Sequence, residues 1–199
     1  MTFKTGLWLL LLLAAMVLAS LLIGPAAITV TDLGRWITGQ GSEQAVLILG
    51  ELRLPRTVMS LLTGATLAIG GAVMQSLFRN PLAEPGLVGV SGGAALGAVA
   101  AMAAGVTGAL LVGAAGFVGA VLATAVAWQF ARGWPGTAGL LLAGVAINAL
   151  VASLISLLIA FAPDAQLRSM TFWTLGSMSR APWPVVAALG VWLPLGMWW

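Results

Sequence analysis

Apolar residues in this chain come in long uncharged blocks separated by short polar breaks. A helix crossing the ~30 Å hydrocarbon core of a bilayer needs about 20 mostly apolar residues, and the blocks approach that length. Residues 7–30 form the first, weakened at its far end by Gly24 and Pro25. Residues 31–52 are a polar interval holding Asp32, Arg35, Glu43 and Glu51, and the run Gly39-Gln40-Gly41-Ser42 in its middle reads as a turn. Residues 57–78 form a second, uncharged span, with Pro55 just before it, where a missing N–H costs little. Residues 79–85 make a break with two prolines and two charges. Residues 85–131 carry no charge, are too many for one helix and suffice for two, so a third and a fourth span are predicted with a hinge near 105–108. A second sharp break at 132–136 precedes a fifth span at 137–162. The polar interval 163–180 is predicted to hold a short interfacial helix carrying Phe172 and Trp173. Residues 184–199 begin a sixth span, in which the chain stops.

Composition fixes what surrounds these helices. Of 199 residues, 61% are hydrophobic and 7% charged, against about 25% charged in a soluble domain. Thirteen charges cannot cover a water-facing surface of this size, so lipid is the solvent over most of the outside. The predicted fold class is all-α: one polytopic membrane helical bundle of about six transmembrane helices over residues 1–199. Trp8, Trp36, Trp128, Trp134, Trp173 and Trp183 fall near predicted span ends, as an interfacial aromatic belt does. Small residues at helical spacing, such as Gly93 with Gly97, Gly64 with Ala68 and Gly71 with Gln75, predict close helix packing. At the N-terminus, Lys4, an apolar run and Leu18-Ala19-Ser20 could imitate a cleaved signal. The run is long for that and more spans follow, which favours a retained first helix.

Charge and missing residue types exclude several functions. The net charge is +3 and the pI about 11.2, but the eight basic residues are scattered singly, which is not the footprint of nucleic-acid binding. There is no Cys, His or Tyr, and the five acids are too dispersed for a metal site. Lys4 is the sole lysine, so no phosphate-binding loop of the G-x-x-x-x-G-K-[ST] kind exists. The uncharged spans hold no acid or lysine for a proton relay. No catalytic residue and no cofactor is expected. The chain reads as a passive path driven by partners.

Two places carry the candidate chemistry. Asn80-Pro81 and Glu84-Pro85 force extended backbone between two helices. Non-helical backbone at membrane depth is tolerated where protein or water buries it, so this loop either lines a cavity, dipping back toward a pore, or is a plain tight turn. Arg53 and Arg56 precede an uncharged helix. Interfacial snorkelling accounts for them, and so does recognition of a partner's carboxylates, which a guanidinium holds bidentately.

The run from Arg53-Leu-Pro-Arg56, through Gly64, Leu67, Gly70, Gly71 and Gln75, to Arg79-Asn-Pro-Leu-Ala-Glu-Pro-Gly-Leu-Val-Gly-Val-Ser-Gly-Gly-Ala94 resembles the permease family that imports ferric siderophores, haem and vitamin B12. Leu140-Leu-Leu-Ala-Gly-Val-Ala-Ile-Asn148, Thr171-Phe-Trp-Thr-Leu-Gly-Ser177 and Trp183 match in order, so the resemblance covers about residues 7–199. It implies a non-enzymatic transport subunit of the bacterial inner membrane, with its N-terminus cytoplasmic. The implied partners are a second permease subunit forming a homodimer, two ATPase subunits that hydrolyse ATP, and a periplasmic substrate-binding protein. It places Arg53 and Arg56 as docking residues for acidic groups on the binding protein, with ordinary interfacial roles for Arg168 and Arg180. It puts Asn80 and Leu82 at a cytoplasmic gate, Thr137 at a second gate position, and Pro81, Pro85 and Gly89 as the residues that shape the gate loop. Charge alone argues the other orientation, since the inner side receives Lys4, Arg79 and Arg132 and the outer side Arg35, Arg53, Arg56, Arg168 and Arg180. Family members have ten helices, so a piece cut before the coupling segment and the second helical half is expected. The run 164–177 looks most like haem importers, so haem is the expected cargo, with ferric siderophores and vitamin B12 as alternatives. A membrane-embedded enzyme and a purely structural subunit are the remoter readings.

Overall fold

The computed structural model describes residues 3–134, 136–178 and 181–197, which leaves Arg180 outside the description. Helices make up most of the described residues: α1 (Phe3–Leu22), α2 (Val30–Ile37), α3 (Glu43–Val46), α4 (Leu54–Phe78), α5 (Val90–Ala103), α6 (Ala109–Ala131), α7 (Ala138–Ala160), α8 (Asp164–Leu175) and α9 (Trp183–Met197). Among the described residues, four continuous helical stretches are long and apolar enough to cross a membrane: Phe3–Leu22, Glu43–Phe78, Ala109–Ala131 and Ala138–Ala160. Two shorter apolar helices, Val90–Ala103 and Trp183–Pro194, stand where the third and sixth spans were predicted. The hinge falls where expected, at Gly105 with φ 85°, and a helix, α8, stands where a short helix was predicted in the polar interval 163–180.

The second span departs from expectation. It begins at Glu43 rather than at residue 57, because a π-helical stretch, Leu47–Arg53, joins α3 to α4 without a break. The wider turn fits Pro55 into a continuous helix. The Leu54 N–H reaches back to the Leu49 carbonyl, five residues away, and Pro55 has no N–H to offer the next one. The carbonyl that Pro55 would have served in this register, that of Gly50, accepts instead from Trp183 Nε1 at 3.0 Å.

Contacts divide the chain into two compact units, residues 1–64 with 178–199 and residues 65–177. In the first, Leu21, Leu33 and Leu49 are buried together against Trp36 and Leu54. Most of α1 faces outward, as a helix solvated by lipid does. The amphipathic α2 is closed by a capping box in which Thr29 Oγ1 accepts from the Asp32 N–H and Asp32 Oδ2 accepts from the Thr29 N–H.

In the second unit α5, α6 and α7 pack closely. A Cβ on Gly93 would lie 2.4 Å from the Gly119 carbonyl oxygen, and one on Gly97 would lie 2.2 Å from that of Ala115. Backbone therefore meets backbone, the arrangement that small residues permit in lipid. Met170 of α8 is fully buried against Ala98, Val99 and Met102 of α5 and Val112 of α6. Gly64 and Gly71, flagged with the other small residues, meet nothing within 4 Å.

Candidate functional site

The break after α4 is built as a loop that turns back on itself. Arg79 takes a left-handed conformation, φ 49°, and the Asn80 N–H donates to the Gln75 carbonyl, ending the helix. Asn80 Oδ1 then accepts from the Leu82 N–H at 3.0 Å, and the Asn80 carbonyl accepts from the Ala83 N–H at 3.1 Å. These bonds make Asn80 the organiser of the turn that presents Leu82, which is 84% exposed. Glu84 is extended, φ −136° and ψ 157°, as a residue before proline must be. Pro85 opens a single 3-10 turn, Pro85–Val88, and Gly89 follows at φ 88°, a conformation that favours glycine.

This turn does not hang free. A Cβ on Gly70 would lie 3.2 Å from Pro85 Cγ, and Gly70 sits roughly 12 Å before the end of α4 at 1.5 Å per residue. On the other flank, a Cβ on Gly144 of α7 would lie 1.9 Å from the Leu87 carbonyl oxygen. Ala83 and Val88 are buried with Met74, and Leu140 packs against them. The loop therefore folds back between α4 and α7, which removes the plain tight turn as its description. It also explains why α5 is shorter than predicted, since the residues ahead of Val90 build the loop instead. Thr137, exposed at the start of α7, lines a cleft with Leu77, Trp128, Arg132 and Leu140. Asn80, Leu82 and Thr137 are thus brought to the same end of the second unit.

The arginine pair sits at the start of α4. Arg56 belongs to the first turn of α4, within the longer helical stretch Glu43–Phe78, and Asn80 follows the helix's last residue. The two arginines differ. Arg56 is exposed, whereas Arg53 is 8% exposed. Arg53 Nη1 donates to the Leu21 carbonyl at 2.6 Å, and Nη2 donates to that of Ala26. Gly24 leaves room for this, since a Cβ there would lie 2.7 Å from Nη2. Thr57, also buried, donates to the Arg53 carbonyl at 2.8 Å and shares a 2.7 Å hydrogen bond with Ser20. Arg53, Thr57 and Ser20 tie α1 and the segment after it to the head of α4. Sequence reasoning missed this use of Arg53. The available signal was Gly24-Pro25, a break that leaves the last carbonyls of α1 without intrahelical donors.

A model of the FecCD transport family matches residues 11–199. The vitamin B12 import system permease protein BtuC of Shigella boydii serotype 18 is 41% identical over 193 residues, which are 96% of this chain and 58% of that protein. The protein of the same name from Escherichia coli O9:H4 is 40% identical over 193 residues, with the same coverage. The chain thus spans 58% of the length of these curated relatives. Among solved structures, an inward-facing conformation of a metal-chelate type ABC transporter superposes with a TM-score of 0.79 at 29% identity, over 92% of this chain and 56% of that one.

Proposed function

The chain belongs to the FecCD transport family, and from that premise we propose that it is the transmembrane permease of an ATP-driven bacterial importer for vitamin B12. The observation that carries the cargo class is the 41% identity over 193 residues to a vitamin B12 permease. The earlier preference for haem rested on residues 164–177. That segment is α8, and its buried residue is Met170, which packs on α5 and α6. Packing of this kind fits any cargo and favours none. Other metal chelates are the second reading, supported by the metal-chelate type transporter at 29% identity.

In this reading the protein is one multi-pass permease domain of the inner membrane, with its N-terminus cytoplasmic. It pairs with a second permease subunit. Two separate ATPase subunits supply the driving force, a division of labour supported by the single lysine at position 4. A periplasmic binding protein docks at the outer end of α4, where Arg56 offers its planar fork to a carboxylate. Arg53 supports that surface from behind through Leu21 and Ala26. Cargo leaves past Asn80, Leu82 and Thr137, uncharged side chains whose packing can part without burying a charge.

The test is a titration of the binding protein encoded beside this gene with cobalamin, haem and a ferric siderophore, followed by absorbance. Tight binding of cobalamin alone supports the proposal. Tight binding of haem or the siderophore instead overturns the cargo while leaving the permease assignment in place. ATP-dependent uptake of the bound ligand into proteoliposomes holding the assembled transporter then tests the permease assignment itself.

A further inference from the structure

The gate loop is fixed to α7 by one polar side chain in the middle of a span. Asn148 Nδ2 donates to the Gly86 carbonyl at 2.8 Å, joining positions 62 residues apart in the chain. Asn148 is half-buried, and α7 around it is apolar. A carboxamide in such a helix is costly unless it is bonded. A backbone carbonyl in a 3-10 turn at membrane depth needs a donor as well.

The surroundings are shaped for this bond. Gly144 precedes Asn148 by one helical turn on the same face, and its missing side chain admits the Leu87 carbonyl. Gly92 of α5 leaves room for the other half of the carboxamide, since a Cβ there would lie 2.6 Å from Asn148 Oδ1. Ile147 contacts the position where Gly89 lacks a side chain, at 3.3 Å. The Gly86 carbonyl also accepts from the Gly89 N–H at 3.2 Å, so Asn148 supplies its second donor. From Gly86 the turn is continuous with the presenting end. The Leu87 N–H donates to the Glu84 carbonyl, the Ala83 N–H donates to the Asn80 carbonyl, and Ala83 and Val88 share one buried cluster.

We propose that Asn148 is a positioning residue for the gate. Its carboxamide seats the 3-10 turn on α7 and so fixes where Leu82 is presented, which makes the loop and the helix that begins at Thr137 move together. The role of Leu82 within this statement rests on the gate reading above. The seat itself does not.

The test uses the full-length permease assembled with its ATPase subunits, carrying Asn148→Leu, which keeps the size and removes the donor, or Asn148→Ala, which removes the carboxamide altogether. Hydrogen exchange is measured on peptides covering 83–90. Loss of one net hydrogen bond raises local opening about three- to tenfold, so exchange at Leu87 and Gly89 is expected to accelerate by that factor in both variants, with α6 unchanged. Unchanged exchange in both overturns the proposal. In parallel, ATP-independent leak of cobalamin from loaded proteoliposomes is compared for Asn148→Leu and Leu82→Ala. Faster exchange with leak in both supports the seat and the gate. Faster exchange without leak in either supports the seat and removes the gate reading. Leak in Leu82→Ala with unchanged exchange in Asn148→Leu keeps the gate and overturns the seat.

Discussion

Arg53 Nη1 lies 2.6 Å from the carbonyl oxygen of Leu21 and serves a chain segment 32 residues earlier. The guanidinium is thereby committed inside the protein, and Arg56, three residues on, is the exposed arginine of the pair. Charge-assisted hydrogen bonds of this kind contribute about 1.5–3 kcal/mol each. Arg53→Ala is therefore expected to lower the stability of the detergent-solubilised permease by roughly 3 kcal/mol, read as a drop in thermal unfolding temperature. Arg53→Lys should recover only part, because an ammonium lacks the fork that reaches both Leu21 and Ala26. Gly24→Ala should behave like a mild version of Arg53→Ala. Arg56→Glu should lower the unfolding temperature less than Arg53→Ala, because Arg56 is exposed, and under the proposed docking role should weaken binding-protein association at least tenfold, measured by surface plasmon resonance at low and high salt. Equal thermal effects of Arg53→Ala and Arg56→Glu would remove the distinction between the two arginines.

Trp183 is predicted to matter through one bond. Its indole supplies the donor that Pro55 cannot give to Gly50. Trp183→Phe keeps most of the ring and deletes the N–H, so it should cost about 1 kcal/mol. Thermal unfolding of Trp183→Phe against the parent protein is the measurement, and an unchanged unfolding temperature would show that the indole N–H does not support Gly50.

Much of the helical outline was legible because blocks without charge leave few alternatives in lipid. The hinge read at 105–108 and the polar interval read from residue 163 both fall at breaks between helices. The start of the second span was not legible. Asp32, Arg35, Glu43 and Glu51 made residues 31–52 read as a polar interval, whereas a π-helical register carries the backbone unbroken from Glu43 into α4. The capping box of α2 was written in Thr29 and Asp32, three apart, but was hidden inside what read as an apolar end and a polar interval. The loop between α4 and α5 was half legible. Its prolines showed that the backbone is extended, and only the packing of Gly70 and Gly144 showed which helices receive it. Asn148 stood out as part of a motif, and its bond to Gly86 is a tertiary fact that no local pattern encodes.

The cap of α2 should titrate. Donation from the Thr29 hydroxyl, and then from its N–H, holds the Asp32 carboxyl below its ordinary value, with Arg35 adding a smaller push the same way. A depressed folded-state pKa means that the cap contributes fully above the unfolded carboxylate value of about 3.9. It is lost as pH falls through the lower folded value. The Asp32 carboxyl is therefore expected to titrate below that of an exposed aspartate, and Thr29→Val should return it toward the ordinary value. Carboxyl-labelled NMR of the solubilised protein between pH 2 and 6 reads both. An Asp32 titration that Thr29→Val leaves in place would show that the cap does not hold the charge.

The glycines separate into those whose missing side chain is occupied and those that meet open space, and this gives a contrast within one protein. A Cβ at Gly144 would sit 1.9 Å from the Leu87 carbonyl oxygen, a separation no rotamer can relieve because the obstacle is main chain. A Cβ at Gly64 meets nothing within 4 Å. Alanine has the higher helix propensity by about 1 kcal/mol. Gly64→Ala should therefore be neutral or slightly stabilising in the unfolding of the solubilised protein. Gly144→Ala must push the 3-10 turn off α7 or fail to fold, a cost of at least 2 kcal/mol on the scale of overpacked cores. Because Gly144 and Asn148 hold the same turn, a double variant Gly144→Ala with Asn148→Leu should cost less than the sum of the two. Once the turn is displaced, there is no bond left for the second change to break. Additive costs would mean that the two residues stabilise different parts of the fold.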